Sequence, residues 1–285
     1  MIVNRAHFCG HIISDSGRFP KHNETKVKNL ITNYVSQNNI GACYGSFAAG
    51  ADILICEAVI ENNGEIHIVL PFDESTFVAL SVDNAKDNWQ ERFALLFQQA
   101  KSITQVYQQK PVDENTSFAL CSEIAMGLCL FNAASCQGNP LQLAIWDEKK
   151  TKSLAGTFPD LLRWQKVGFE SKYISSKQAD HIATFSNNIA LAIVELKVQV
   201  TLLDTIYITT LVQLMNFIDK LPTPLEKNQF KIDLDNRVYG KNSDTVIKPI
   251  SNRALGHIVY HAYAHNLGNE LTSILNKITT ITSLE

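Results

Sequence analysis

Apolar positions along the first half of the chain switch between two periods. Residues 3–9 form a short apolar run of strand length. Residues 23–37 then place Val27, Leu30, Ile31, Tyr34 and Val35 at helical spacing, with Asn23 as the candidate cap. Lys26 stands where a capping box would carry an acid, so the box is absent. Residues 40–44 read as a second strand and 45–50 as a turn of small residues. Residues 51–62 read as a helix stopped by Asn62-Asn63-Gly64. Residues 65–72 are a buried strand, 84–101 an amphipathic helix carrying Trp89, Phe93, Leu96 and Phe97, and 102–107 a fourth strand. A buried helix over 118–134 and a fifth strand over 141–146 complete the series.

Strands that alternate with helices imply an α/β fold, here a parallel sheet of about five strands covered on both faces. Ligands of such sheets bind at the edge where the strands end. This pattern covers residues 1–147. Residues 148–188 are polar and irregular and read as a linker. Beyond them, 189–200 is a loosely alternating apolar run and 202–221 a helix. Residues 230–238 and 245–250 read as a hairpin around 239–244, and 253–276 as a helix. That order makes 189–285 a smaller C-terminal α+β domain.

Composition narrows the functional classes. Of 285 residues, 45% are hydrophobic and 19% charged, which suits a folded globular chain. A net charge of -3 carries no electrostatic footprint for nucleic acid, so none is expected as a partner. A small nucleotide remains compatible, since backbone amides hold phosphate without a basic surface. No apolar run reaches the roughly 18 residues of a spanning helix; the longest, 118–134, is broken by Ser122, Glu123 and Asn132. No membrane partner is expected. The six cysteines form no CxxC pair and read as reduced residues of a cytoplasmic protein.

The chemistry concentrates between Cys43 and Glu57. A strand ends, Gly45-Ser46 turns the chain, Gly50 follows five residues later, and a helix opens with Ala51-Asp52. Gly45 is free to take a positive φ and to let a ligand approach the backbone. Amides at the helix start, aided by the dipole, attract an anion, and Ser46 adds a hydroxyl. The spacing is neither a GxGxxG fingerprint nor a Walker A loop, and a tight strand–helix turn needs small residues with no ligand at all. Asp52 is a candidate contact to a ribose hydroxyl or an amine, or simply a first-turn acid complementing the dipole. Asp73 and Glu74 follow a strand end, where binding or catalytic acids sit. His11 lies in the first strand–helix loop, and Arg18 is either a phosphate contact or a solvated surface residue.

With Gly45, Ser46, Gly50, Asp52, Gly64 and Pro71 in this order, the segment resembles the SLOG superfamily of Rossmann-like domains, which includes the LOG and DNA-processing proteins. Phe72-Asp73, Ser81-Val82, Trp89 and Arg92-Phe93 extend the likeness, over roughly residues 5–147, to SLOG-like domains fused ahead of nucleotidyl cyclases. The resemblance implies a nucleotide-like ligand held by Gly10, His11, Gly45, Ser46, Gly50, Asp52, Phe72 and Asp73. SLOG members either sense such ligands or cleave an N-glycosidic bond. The LOG enzymes use a PGGxGTxxE motif; this chain has residues 113–123 there, without the PGG or the GT. Glu123 then stands near the motif's acid, and Asp73, Glu74 and Glu123 are the candidate catalytic acids.

The same resemblance invites a comparison of residues 189–285 with a cyclase domain. Glu195 and Asp244 are the only candidates for its two metal-binding carboxylates, and neither lies in a matching motif. The stretch reads as a shortened, inactive cyclase-like domain or as an unrelated module for oligomerisation or docking of a partner protein. His257, His261 and His265 fall at i, i+4 and i+8, without the glutamate of an HExxH motif. A polar helix face at a subunit contact is the expected role, and no metal or cofactor is expected. Three functions follow: a nucleotide-ligand sensor, an N-glycosidic hydrolase, or an interaction scaffold in which Phe47 and Phe72 fill a relic cleft.

Overall fold

The computed structural model describes residues 3–111, 113–186, 231–232, 238–239, 252–264, 266 and 268. From the N-terminus the elements are β1 (Asn4–Gly10), the two-residue strands β2 (Ile13–Ser14) and β3 (Phe19–Pro20), α1 (Glu24–Gln37) and β4 (Ile40–Gly45). There follow α2 (Ala51–Glu61), β5 (Glu65–Leu70), α3 (Glu74–Ser81), α4 (Trp89–Gln99) and β6 (Ser102–Gln105). Next come α5 (Glu114–Ser135), β7 (Pro140–Trp146), α6 (Thr157–Lys166), β8 (Ser171–Ser175) and β9 (Ile182–Phe185). Two short strands, β10 (Lys231–Ile232) and β11 (Val238–Tyr239), and the helix α7 (Asn252–Ala264) complete the described elements.

Seven strands make one sheet in the order β6-β5-β4-β1-β7-β8-β9. Every pairing is parallel except the last, between β8 and β9. Successive strands first step outward from β1 to β6. The chain then returns to the other side of β1 and steps outward again, so the direction of winding reverses between β1 and β7. At that reversal the connections on either side diverge and leave a crevice beyond the strand ends.

Side chains show how both faces are covered. Along β4, Cys43 packs with α1, α2 and α4, whereas its neighbours Ala42 and Tyr44 pack with α5 and α7. Along β7, Leu143 and Ile145 join the first cluster, while Ala144 and Trp146 pack with Phe158, Leu161 and Leu162 of α6. Successive side chains of a strand point to opposite faces, so these are the two halves of a three-layer core. A central strand buried on both sides must be apolar at nearly every position, which is why residues 66–70 read as a continuous run. Among the described residues, α5 is the one helix long and apolar enough to cross a membrane, and it is mostly buried within this core.

Three expectations change. The sheet has seven strands and not five, because residues 148–188 are no linker: α6, β8 and β9 lie there and extend the sheet. Polar residues between short apolar stretches hid them. The helix expected over 118–134 begins at Glu114, since Asp113 caps it by accepting from the Asn115 and Thr116 amides at 3.1 and 3.4 Å. Asn23 precedes α1 as expected but gives no side-chain cap; its amide donates to the Ser176 and Lys177 carbonyls at 3.0 and 2.8 Å.

Most of the C-terminal expectations fall outside the described residues, including Glu195, Asp244, His265 and the helix over 202–221. The described antiparallel ladder joins Lys231–Ile232 to Val238–Tyr239, so both strands lie within or just past the stretch expected as one strand over 230–238. The last helix is present as α7 and packs on α5. A Cβ built on Gly127 of α5 would lie 1.6 Å from the Gly256 carbonyl oxygen of α7, so only glycine permits this crossing.

Candidate functional site

The crevice at the winding reversal holds a cleft of about 260 Å³. Its floor is the end of β1, with His7, Cys9 and Gly10, beside Gly45 and Ser46 at the end of β4. Asp52 of α2, Cys121 and Ser122 of α5, and Gly156, Thr157 and Asp160 at the start of α6 close it. Two helix N-termini, those of α2 and α6, thus border one space.

Glycines allow this convergence. A Cβ on Gly10 would sit 2.1 Å from the Ala51 Cβ, so the end of β1 passes directly under the start of α2 only because Gly10 has no side chain. Gly50 holds φ at +103°, and a Cβ there would meet the Ile13 amide nitrogen at 2.6 Å. The left-handed conformation expected at Gly45 is found instead at Gly50. Gly45 is an ordinary strand residue that lacks a side chain because the Phe8 ring lies against it, 2.7 Å from a built Cβ.

Asp52 is the most unusual group in the cleft. Its Oδ2 accepts from the Ser46 hydroxyl at 3.0 Å and the Ala48 amide at 3.3 Å. Its Oδ1 is buried and has no hydrogen-bond partner. Burial raises the carboxyl to about 8, against the lowering effect of Ser46 and Ala48. The acid is therefore largely protonated at neutral pH.

Asp160 faces the same cleft. It accepts from the Ser122 hydroxyl at 2.9 Å and from Arg163 at 3.1 Å. Burial raises it to about 6, with Arg163 opposing. The Cys9 and Cys121 thiols are pushed up first by burial and then by the charges of Asp160 and Asp52, so neither is a ready thiolate nucleophile. Among the described residues, neither lysine nor arginine lines the cleft.

His11 sits behind the start of α6. Its Nε2 lies 3.1 Å from Asp147 Oδ1, and its Nδ1 3.2 Å from the Thr157 hydroxyl. Burial and then the Arg18 charge lower it to about 4, so the ring is neutral. A neutral ring between these partners donates from Nε2 to the carboxylate and accepts at Nδ1 from Thr157. Arg18 grips Asp147 with two bonds of 2.9 and 2.8 Å. His11 and Arg18 thus position Thr157 and do not themselves line the cleft.

Of the residues singled out from sequence, Gly10, Gly45, Ser46 and Asp52 meet in the cleft, and Gly50 shapes its rim. The others lie elsewhere. Phe72 is fully buried, edge-on to Phe118. Asp73 caps α3, accepting from the Thr76 amide at 2.9 Å, and that bond lowers its carboxyl. Glu74 is exposed in the first turn of α3. Glu123 is buried and tied to Arg163 at 3.2 Å. Phe47 and Phe72 belong to the core and leave the space over Gly45 open. Asp160 and Thr157 lay in the supposed linker, although Phe158, Leu161, Leu162 and a preceding Gly156 gave a helical signal.

No family model matches the chain, and no curated protein matches it. Among solved structures, the chain is similar to the X-ray structure of DNA processing protein A from Streptococcus pneumoniae. The TM-score is 0.37 at 15% identity, over 61% of this chain and 50% of that one. The chain therefore spans about half the length of that protein, and the likeness is one of fold. The expectation that nucleic acid is no partner is withdrawn with this match, because the matched protein is named for DNA processing. The expectation rested on net charge, a property of the whole chain that does not describe the surface around one cleft.

Proposed function

We propose that the cleft binds a nucleotide-like small molecule and that the protein acts as a sensor of that ligand. The unpartnered Oδ1 of buried Asp52 carries the reading. A buried polar atom without a partner costs free energy unless something supplies a hydrogen bond. A ligand hydroxyl or ring nitrogen set against a neutral carboxyl would do so. With no lysine or arginine among the described lining residues, the uncharged sugar or base end of the ligand points inward. The N-termini of α2 and α6 suit a phosphate at the mouth.

The test is a thermal-shift and calorimetric panel of nucleosides, nucleotides, NAD, ADP-ribose and a short oligodeoxynucleotide, run on wild type and Asp52→Ala. A ligand at a hundred times its dissociation constant adds about 2.7 kcal/mol to stability. Stabilisation of wild type that disappears in a folded Asp52→Ala supports the site. No response to any compound rules the reading out.

One observation favours a second reading, hydrolysis of an N-glycosidic bond. Asp52 and Asp160 are both raised and both face the cleft, and such groups suit proton transfer. In this reading the acids are these two and not Asp73, Glu74 or Glu123. Chromatography after incubation with nucleosides and NAD, with no free base released, removes it.

A further inference from the structure

The crossing of α5 and α7 brings three donor atoms together away from the cleft. Gly127 and Gly256 let the two backbones touch, and His257 follows Gly256 directly. His257 and His261 sit one turn apart on α7, and both face Glu123 of α5. Their Nε2 atoms are 3.0 Å apart. Glu123 Oε2 lies 3.8 Å from His257 Nε2 and 3.5 Å from His261 Nε2. Glu123 and His257 are almost fully buried, and the His261 side chain is 12% exposed.

We infer that Glu123, His257 and His261 form a binding site for a divalent transition metal of the zinc class. The circle through three points separated by 3.0, 3.5 and 3.8 Å has a radius of about 2.0 Å, the distance at which zinc binds imidazole nitrogen and carboxylate oxygen. Two nitrogen donors among the three disfavour calcium and magnesium, which bind through oxygen. The other carboxylate oxygen of Glu123, Oε1, is held by Arg163 at 3.2 Å, an orienting contact of the kind that surrounds metal ligands. A proton on His261 Nε2 shared with His257 explains their 3.0 Å approach but leaves buried Glu123 Oε2 at 3.5 Å from His261 Nε2, longer than an ordinary hydrogen bond. A cation satisfies all three atoms at once. The bound metal would clamp α7 to the core helix.

The 285-residue chain, stripped with a chelator and dialysed, is titrated with Zn²⁺ by calorimetry and with Co²⁺ by visible absorption. One equivalent per chain is expected, with the intense d–d bands of a low-coordinate cobalt site. His257→Gln and His261→Gln are each expected to weaken binding by about 100-fold or more. No stoichiometric binding by the wild type overturns the inference. So does unchanged affinity in both variants, which marks adventitious surface binding. Should the variants fail to fold, NMR of histidine-labelled wild type decides. The Nε2 signals of His257 and His261 shift on adding Zn²⁺ if the site exists, and their staying in place refutes it.

Discussion

Replacing Asp52 with asparagine tests the central electrostatic claim about the cleft. Asparagine keeps the shape and the acceptor facing Ser46 and Ala48 but cannot ionise. Burial raises the Asp52 carboxyl from 3.8 to about 8. Below about pH 4 the folded and unfolded chains are both protonated, and the group costs nothing. As pH rises, the unfolded chain releases a proton that the folded chain keeps, so stability falls until about pH 8 and then levels off. A tenfold difference in proton affinity corresponds to about 1.4 kcal/mol, so near pH 7 the cost reaches about 4 kcal/mol. Asp52→Asn removes it. Urea denaturation of both proteins from about pH 5 to about pH 9 should show the variant gaining on wild type by roughly 1.4 kcal/mol per pH unit, then a plateau above about pH 8. A difference that does not change with pH refutes the reasoning, because it means that Asp52 is ionised in the fold and that its Oδ1 is paired.

Two further substitutions probe the frame of the cleft. Gly50→Ala forces a side chain into φ +103° with its Cβ 2.6 Å from the Ile13 nitrogen. A loss of at least about 1–3 kcal/mol in denaturant unfolding is expected, and a loss below half a kilocalorie would contradict the geometry. Arg163→Met leaves Glu123 and Asp160 buried without the cation that now pairs both at 3.2 and 3.1 Å. A destabilisation of about 3–5 kcal/mol is expected in urea unfolding, and a neutral effect would show that the two acids are not charged together in the fold.

Local periodicity settled much of the protein. The strand of residues 65–70, the helices at α1, α2 and α4, and the loop from Gly45 to Asp52 follow from spacing over a few residues. Spacing of that kind survives in any tertiary context, because a strand covered on both faces must be apolar throughout and a surface helix must be striped. The resemblance to Rossmann-like domains drew attention to Gly10, Gly45, Ser46 and Asp52, and these four do meet at one cleft.

What the sequence could not decide depends on which elements lie side by side. The winding reversal between β1 and β7 brings Asp160 and Thr157 opposite Asp52, across more than a hundred positions of sequence. No local pattern encodes that neighbourhood. The same holds for ionisation: Asp52 reads as an ordinary first-turn acid until the packing of β1, α2 and α6 removes its water. Asp73 reads as a binding acid until its carboxylate turns to cap α3. Glu123 and the histidines of α7 acquire a common focus only where Gly127 and Gly256 let two helices touch. Sequence set the elements because their hydrogen bonds and apolar faces are local; tertiary structure set the chemistry because burial and charge act between residues distant in the chain.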